Sequence, residues 1–374
     1  MGDEYVKACI LSMQMVPNMG SVLQSYALKK RLEELGAQVE FLDIKKSTKD
    51  NELMGDFSRE FAEEREKTGL VGKISKIDKY AINRFKIKRK SIIQNNLFDD
   101  FRADHLRINQ KSDRYDLCVI GSDEVFNCLS TGGWGFTSQL FGNVPEADSV
   151  ITYAASCGST EYEALPRKVA DCIRKSFQKI SSFSVRDGNT YKFVSKLTEK
   201  TITDNLDPVL IYNFRQEIDQ ATLPSLPEKY CVVYSYYNRI HTTDEIDAIK
   251  KFCKRHQLTP IALGAPQFWI KDYIVCSPFQ CLKIFENAEF VITDTFHGTI
   301  FASKLSKRFA VLTRKSNYNK LADLIEKIGM QDHLIDNISE IEKKYGVIKN
   351  TTKFKKVIER ETERTIQYLR ANID

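Results

Sequence analysis

The chain has 374 residues, 42% of them hydrophobic and 28% charged, with a formal net charge of +6. That length can bury a large core and predicts two domains. The composition is that of an ordinary soluble protein, and the modest positive charge falls short of a nucleic-acid-binding surface, so no nucleic-acid partner is expected.

No run is apolar and long enough to span a membrane. The apolar stretch after Tyr5 is too short and ill-flanked for a signal peptide, so a cytoplasmic location is expected. The nine cysteines are scattered without a C-x-x-C pair, and Cys9, Cys118 and Cys231 sit inside apolar strand-like runs. This predicts reduced, buried thiols, with neither a disulfide framework nor a zinc site.

Residues 6–13 read as a first, central strand, followed by the loop Pro17-Asn18-Met19-Gly20-Ser21 and a helix over 22–35. In that helix Leu28, Leu32 and Leu35 recur at helical spacing and Gly36 is the C-cap. A Gly-Ser loop opening a helix suits a phosphate or carboxylate, although it matches neither a Walker loop nor a dinucleotide fingerprint, and a plain tight turn is the competing reading. Residues 39–44 are the next strand.

Residues 45–111 are polar and charged without strand patterning, and predict an insertion of helices. Within them 72–90 carries eight basic residues against the single acid Asp78, with Ile74, Ile77, Ala81 and Phe85 tracing an apolar stripe. Such a basic amphipathic helix can lie peripherally on the anionic inner face of a membrane, or simply pack by one face and solvate the other.

Strands are next expected at 115–120 and 150–155. The first runs into Gly121-Ser122-Asp123-Glu124 and the second into Ser156-Cys157-Gly158-Ser159, two candidate ligand loops on one sheet edge. A Gly/aromatic binding loop lies at 132–135. No G-x-S-x-G elbow is present, and Cys157 as a nucleophile would need a base that no neighbour supplies. A helix at 166–180 leads to a strand at 182–185 that ends on Arg186-Asp187. The planar fork of Arg186 suits a carboxylate or phosphate, while Asp187 beside it offers a structural pair instead. Residues 213–229, with Pro224 and Pro227, read as a linker.

Alternation then restarts: strands at 230–236, 259–263, 290–292 and 308–312, helices at 243–256, 279–288 and 319–329, and a charged helix at 351–370 that is expected to cross back over the first domain. The economical architecture is α/β: two Rossmann-like doubly wound domains, 1–212 and 230–374, facing across a cleft. The most informative stretch is 289–303. A buried strand ends in Thr293-Asp294, the turn Thr295-Phe296-His297-Gly298 follows, and a helix is expected from Thr299. A helix start at a sheet's carboxyl edge is an anion site. His297 is either its working residue or a capping and packing residue.

These loops, in order, resemble the polysaccharide pyruvyl transferase family. The matching pieces are Asn18-Met19-Gly20-Ser21-Val22-Leu23-Gln24-Ser25-Tyr26-Ala27-Leu28, Gly121-Ser122-Asp123-Glu124-Val125-Phe126-Asn127, Tyr153-Ala154-Ala155-Ser156-Cys157-Gly158, Ser184-Val185-Arg186-Asp187, Asp207-Pro208 and Thr293-Asp294-Thr295-Phe296-His297-Gly298-Thr299. Each is soft alone, and the six in order are fairly specific. The resemblance implies a fold similar to glycosyltransferase B enzymes. It also implies transfer of the enolpyruvyl group of phosphoenolpyruvate, as donor substrate, onto sugar hydroxyls as a ketal, with no further cofactor or metal. His297 would be the acid that protonates the methylene carbon, and Arg186 would grip the donor's carboxylate or phosphate.

On that reading Asn18, Gly20, Ser21, Ser122, Asp123, Ser156, Arg186, Asp294, Thr295, Gly298 and Thr299 bind substrate around a catalytic His297. The acceptor is a sugar or lipid-linked oligosaccharide of a cell-surface polysaccharide. Thr295 stands where some members carry Arg, Glu124 where Gln is usual, Phe126 where Trp is, and Cys157 where an aromatic is common. The competing functions are a nucleotide-sugar-dependent glycosyltransferase in a similar cleft and a non-catalytic sugar-binding relative.

Overall fold

Short β-branched and aromatic runs between helices build two sheets whose every strand pairing is parallel. The structure, a computed structural model, describes residues 5–53, 81–130, 135–237, 239–315 and 317–373, without the side chains of 81–86. The first sheet holds β1 (Lys7–Leu11), β2 (Gln38–Phe41), β3 (Tyr115–Asp123), β4 (Ala147–Ala155), β5 (Ile180–Val185) and β6 (Ile202–Asp204), in the order β2-β1-β3-β4-β5-β6. The second holds β7 (Tyr230–Tyr234), β8 (Thr259–Leu263), β9 (Asp272–Tyr273), β10 (Phe290–Thr293), β11 (Phe309–Leu312) and β12 (Leu334–Ile335), in the order β12-β11-β10-β7-β8-β9. Both are doubly wound, the fold class read from the sequence.

The helices of the first half are α1 (Met19–Glu34), α2 (Ala81–Phe101), α3 (Arg167–Phe177), α4 (Gly188–Ser195), α5 (Pro208–Ile211) and α6 (Arg215–Gln220). Those of the second are α7 (Thr243–Arg255), α8 (Pro278–Asn287), α9 (Phe296–Leu305), α10 (Tyr318–Lys327), α11 (Ile341–Tyr345) and α12 (Thr351–Ile373). Of the basic segment 72–90, residues 72–80 lie outside the described residues. So do residues 132–134 of the Gly/aromatic loop.

The two-residue period of a strand divides the core. Ala8, Ile10, Leu117 and Val119 of the first sheet share one buried cluster with Val232, Tyr234, Val291 and Val311 of the second. Their neighbours Cys9, Leu11, Cys118 and Ile120 face an outer cluster, and Cys231, Val233, Phe290 and Ile292 face another. A shared apolar core of this kind holds two domains in one arrangement, because sliding them would expose it. The cysteines of the strands are free and buried within these clusters.

Polar contacts reinforce the seam. On α12, the hydroxyl of Tyr368 donates to the Thr152 carbonyl at 2.7 Å, and Thr365 Oγ1 lies 3.1 Å from the Tyr153 hydroxyl, so this last helix touches the first sheet. The carbonyls that end α5 point at cations. Lys304 on α9 donates to Leu210 and Tyr212 at 2.8 and 2.7 Å, and Arg31 on α1 donates to Ile211. Lys349 donates to the Ser303 and Lys304 carbonyls at 3.0 and 3.1 Å. Burial, with Arg31 and Lys349 adding repulsion, pulls the Lys304 ammonium down to about 7.

A lysine depressed in the folded state binds fewer protons there than in the unfolded chain between that value and the ordinary one near 10.5. Its contribution to stability therefore rises with pH from about 7 upward. The urea midpoint of the full chain, measured at pH 7.0 and 8.5, is expected to climb more steeply than that of Lys304→Met. Equal slopes would remove Lys304 from this account of the seam.

Candidate active site

In each sheet the strand order reverses once, between β1 and β3 in the first and between β7 and β10 in the second. Ligands of open α/β sheets bind beyond the strand ends at such points. Here the two face each other. The start of α1 follows β1, Asp123 ends β3, Ser235 and Tyr236 follow β7, and Thr295–His297 follow β10; all of them line one cavity of about 530 Å³.

Both helices that open onto it start earlier than the sequence suggests. The Asn18 side chain accepts from the Ser21 amide at 2.8 Å, which starts α1 at Met19 and puts Gly20 and Ser21 in its first turn. Thr295 Oγ1 accepts from the Gly298 amide at 3.0 Å, so α9 starts at Phe296 and His297 is a first-turn helical residue rather than a loop residue. The expected start at Thr299 is corrected accordingly. Gly20 is needed by contact: a Cβ there would sit 2.1 Å from His297 Nδ1. Only hydrogen lets α1 rest on the imidazole.

Behind the cavity wall lies a buried charge network. Arg186, which follows β5, donates to Asp207 Oδ2 at 2.7 Å and to Asp123 Oδ1 at 3.3 Å. Its guanidinium stacks 4.2 Å from the Phe296 ring, and the residue is 3% exposed. Asp207 Oδ1 accepts from the Val209 amide at 3.0 Å, and Asp123 Oδ2 accepts from Ser21 Oγ at 2.8 Å. Asp123 takes φ 75°, a left-handed conformation that Asp tolerates better than most residues. His297 Nε2 lies 3.5 Å from Asp207 Oδ2, an ion-pair separation rather than a hydrogen bond, and is buried without a hydrogen-bond partner.

Burial opposes ionisation of both aspartates, but it is overcome. Arg186, His297, the Ser21 hydroxyl and Lys320 hold Asp123 below the usual carboxylate range, while His297, Arg186 and the Val209 amide do so for Asp207.

Of the residues singled out in the sequence, His297, Asn18, Ser21, Asp123 and Thr295 line the cavity. Gly20 packs beneath His297. Arg186 is not a lining residue, and its partners are Asp207 and Asp123 rather than Asp187. Asp187 instead accepts from Ser156 Oγ at 2.7 Å and caps α4 through the Thr190 amide. Ser122 Oγ donates to Asp207 at 3.4 Å. Asp294 is buried, accepting from Ser235 Oγ at 2.6 Å and from Arg314 Nε at 2.7 Å. Gly298 lies against Thr293 Oγ1 and Tyr234, and Thr299 Oγ1 donates back to the Thr295 carbonyl at 2.8 Å. Burial pushes the Cys157 thiol up to about 12, which opposes a thiolate there near neutral pH.

The sequence reading missed Lys320, on α10. Its ammonium lines the cavity, lies 4.9 Å from the Phe296 ring and pairs with Glu124 across the cleft. Burial alone would lower the Lys320 ammonium, but Glu124 raises it above the ordinary lysine value; in turn Lys320 is the main cause that lowers Glu124. The residue follows β11 at the carboxyl edge of the sheet, and that position was the available signal.

Two doubly wound domains closing on a cavity between their switch points define a glycosyltransferase-B-like architecture. UGT89C1 from Arabidopsis thaliana, solved with UDP-L-rhamnose, matches at 12% identity over 99% of each chain with a TM-score of 0.50. The UDP-N-acetylglucosamine 2-epimerase of Rickettsia bellii matches at 11% identity over 98% of each chain with a TM-score of 0.49. At such identities the likeness concerns the fold alone. No curated protein sequence matches the chain. Residues 18–316 match the polysaccharide pyruvyl transferase family, a span that takes in the six motifs named above and stops short of Lys320; the chain belongs to this family and is a transferase.

Asp207→Ala would leave Arg186 buried with half its counter-charge, a change that costs about 3–5 kcal/mol in comparable buried pairs. Because the folded-state carboxyl titrates below its unfolded value, this contribution is present above about pH 4 and fades as pH falls through the lower folded value. Urea unfolding at pH 7 and pH 3.5 is expected to show a large deficit that shrinks at the lower pH. A loss under about 1 kcal/mol at pH 7 would contradict a structural role for the pair.

Proposed function

We propose that the chain transfers the enolpyruvyl group of phosphoenolpyruvate onto two hydroxyls of a sugar, as a cyclic ketal, in the cytoplasmic assembly of a cell-surface polysaccharide. The observation that carries this reading is an acid–base side chain, His297, and an ammonium, Lys320, lining one cavity of the family's cleft. An enol ester bearing a phosphate and a carboxylate needs a cation for its charge and an acid for its methylene carbon.

Elimination favours one cation for this role. Thr295 replaces the arginine found in some relatives and spends its hydroxyl on capping α9. Arg186 is held between two aspartates behind Phe296. Lys320 is the Lys or Arg side chain that lines the cavity among the described residues. Glu124 pairs with it, so a donor anion takes over that ion pair and frees the Glu124 carboxylate to accept from the acceptor's hydroxyls.

The steps follow from these groups. His297 delivers a proton to the methylene carbon, and the adjoining carbon becomes electrophilic. One sugar hydroxyl adds there, giving its proton to a carboxylate of the cavity, Glu124 or Asp123. The second hydroxyl adds as the carbon–oxygen bond to phosphate breaks, and its proton leaves on the phosphate. The sum is donor plus diol giving ketal plus inorganic phosphate. Asp207 and Gly20 act on His297 by position, the one beside Nε2 and the other beneath the ring.

His297→Gln is expected to lower turnover by about 10²–10⁴-fold with little change in the melting temperature. Lys320→Met is expected to raise the donor KM by about 10–100-fold, the worth of one charge-assisted hydrogen bond, and to lower kcat less. Phosphate release from phosphoenolpyruvate in the presence of acceptor reads both. Full turnover in His297→Gln would sink the role given to that residue, and an unchanged donor KM in Lys320→Met would sink the other.

A further inference from the structure

Beyond its polar end, the cavity has an aromatic margin that the donor chemistry does not use. β7 ends at Tyr234, and the next turn carries Tyr236 and Tyr237, which are 58% and 57% exposed. Tyr236 lines the cavity that holds His297 and Lys320. Its backbone is fixed: the Tyr236 carbonyl accepts from Gln267 Nε2 at 2.9 Å and from the Arg239 amide at 3.1 Å, and Gln267 is fully buried. The Arg239 guanidinium stands 5.4 Å from the ring. A large exposed ring on a braced turn retains its contact surface in the free protein, so little ordering is lost when a ligand covers it.

The wall beside it is open for a reason. Gly264 and Ala265 follow β8 and also line the cavity. Gly264 takes φ +78°, and a Cβ there would sit 2.4 Å from the Tyr234 ring. Across the cleft stand hydrogen-bonding groups, the Glu124 carboxylate and the Asn127 amide, which bond each other at 2.7 Å. Apolar rings on one side and a carboxylate with an amide on the other match a pyranose. Its C–H face packs on an aromatic ring and its rim of hydroxyls seeks polar partners.

We infer that Tyr236 is the platform on which the acceptor sugar stacks. It thereby presents its hydroxyls to Glu124 and to the donor carbon near His297. The role of the bound sugar as acceptor rests on the function proposed above; the stacking does not.

Saturation-transfer NMR on the full chain, with the methyl pyranosides of galactose, glucose and mannose as probes, tests the platform. At least one probe is expected to receive saturation, strongest on the ring protons of one face. The effect should be weakened in Tyr236→Ala, with affinity about two- to tenfold lower, and kept in Tyr236→Phe, as one lost aromatic contact implies. The rise in melting temperature on adding phosphoenolpyruvate should be the same in wild type and Tyr236→Ala. Equal transfer in Tyr236→Ala, no transfer to any probe in wild type, or displacement of the probe by uridine would overturn the inference. A Tyr236-dependent sugar signal without any phosphoenolpyruvate effect would leave the platform standing and remove the donor reading instead.

Discussion

An arginine buried between two aspartates is the constraint on which the cleft depends. Arg186, Asp123 and Asp207 come from three separate points of the first domain, and each would be unstable where it stands without the others. The second domain closes the set. Phe296 covers the guanidinium and His297 comes up beside Asp207, so the residues that start α9 have a fixed place only when the two domains are in register. The shared apolar core supplies that register, and Gly20 supplies the clearance for the imidazole.

This arrangement separates two tasks that the sequence alone leaves merged. Arg186 at a strand end reads as a ligand-gripping residue, yet its charge is used internally. Lys320, on a helix of the other domain, faces the cavity instead. In this chain Thr295 spends its hydroxyl on capping α9, and Glu124 is the anion paired with Lys320. Donor charge, on the proposed reading, is met by a lysine whose counter-ion is itself part of the acceptor side, so that filling one half of the cavity prepares the other.

Much of the fold was legible because its strands are short β-branched runs between helices. The stretches around β8 and α7 came out almost to the residue, since Thr242 and Glu245 form a capping box and Gly264 follows the strand at once. The short strands β6, β9 and β12 were missed, their two or three residues being too few for any period to show. Helix starts were placed late at α1 and α9 because the residue that fixes a helix start is its cap, and the bond it makes reaches three residues on. The candidate site divided along the same line. His297, Asn18 and Asp123 lie in local motifs that single them out, and they line the cavity, whereas Lys320 and Tyr236 gain meaning only from strands brought together across the cleft. The true partners of Arg186 lie 21 and 63 residues away, out of reach of any local pattern.

On the proposed function, the cleft of this transferase takes phosphoenolpyruvate rather than a nucleotide. Isothermal titration of the full chain with phosphoenolpyruvate and, separately, with UDP tests it most directly. Saturable heat with phosphoenolpyruvate and none with UDP is expected. Saturable binding of UDP with no response to phosphoenolpyruvate would contradict it, and the cleft would then be that of a nucleotide-sugar enzyme.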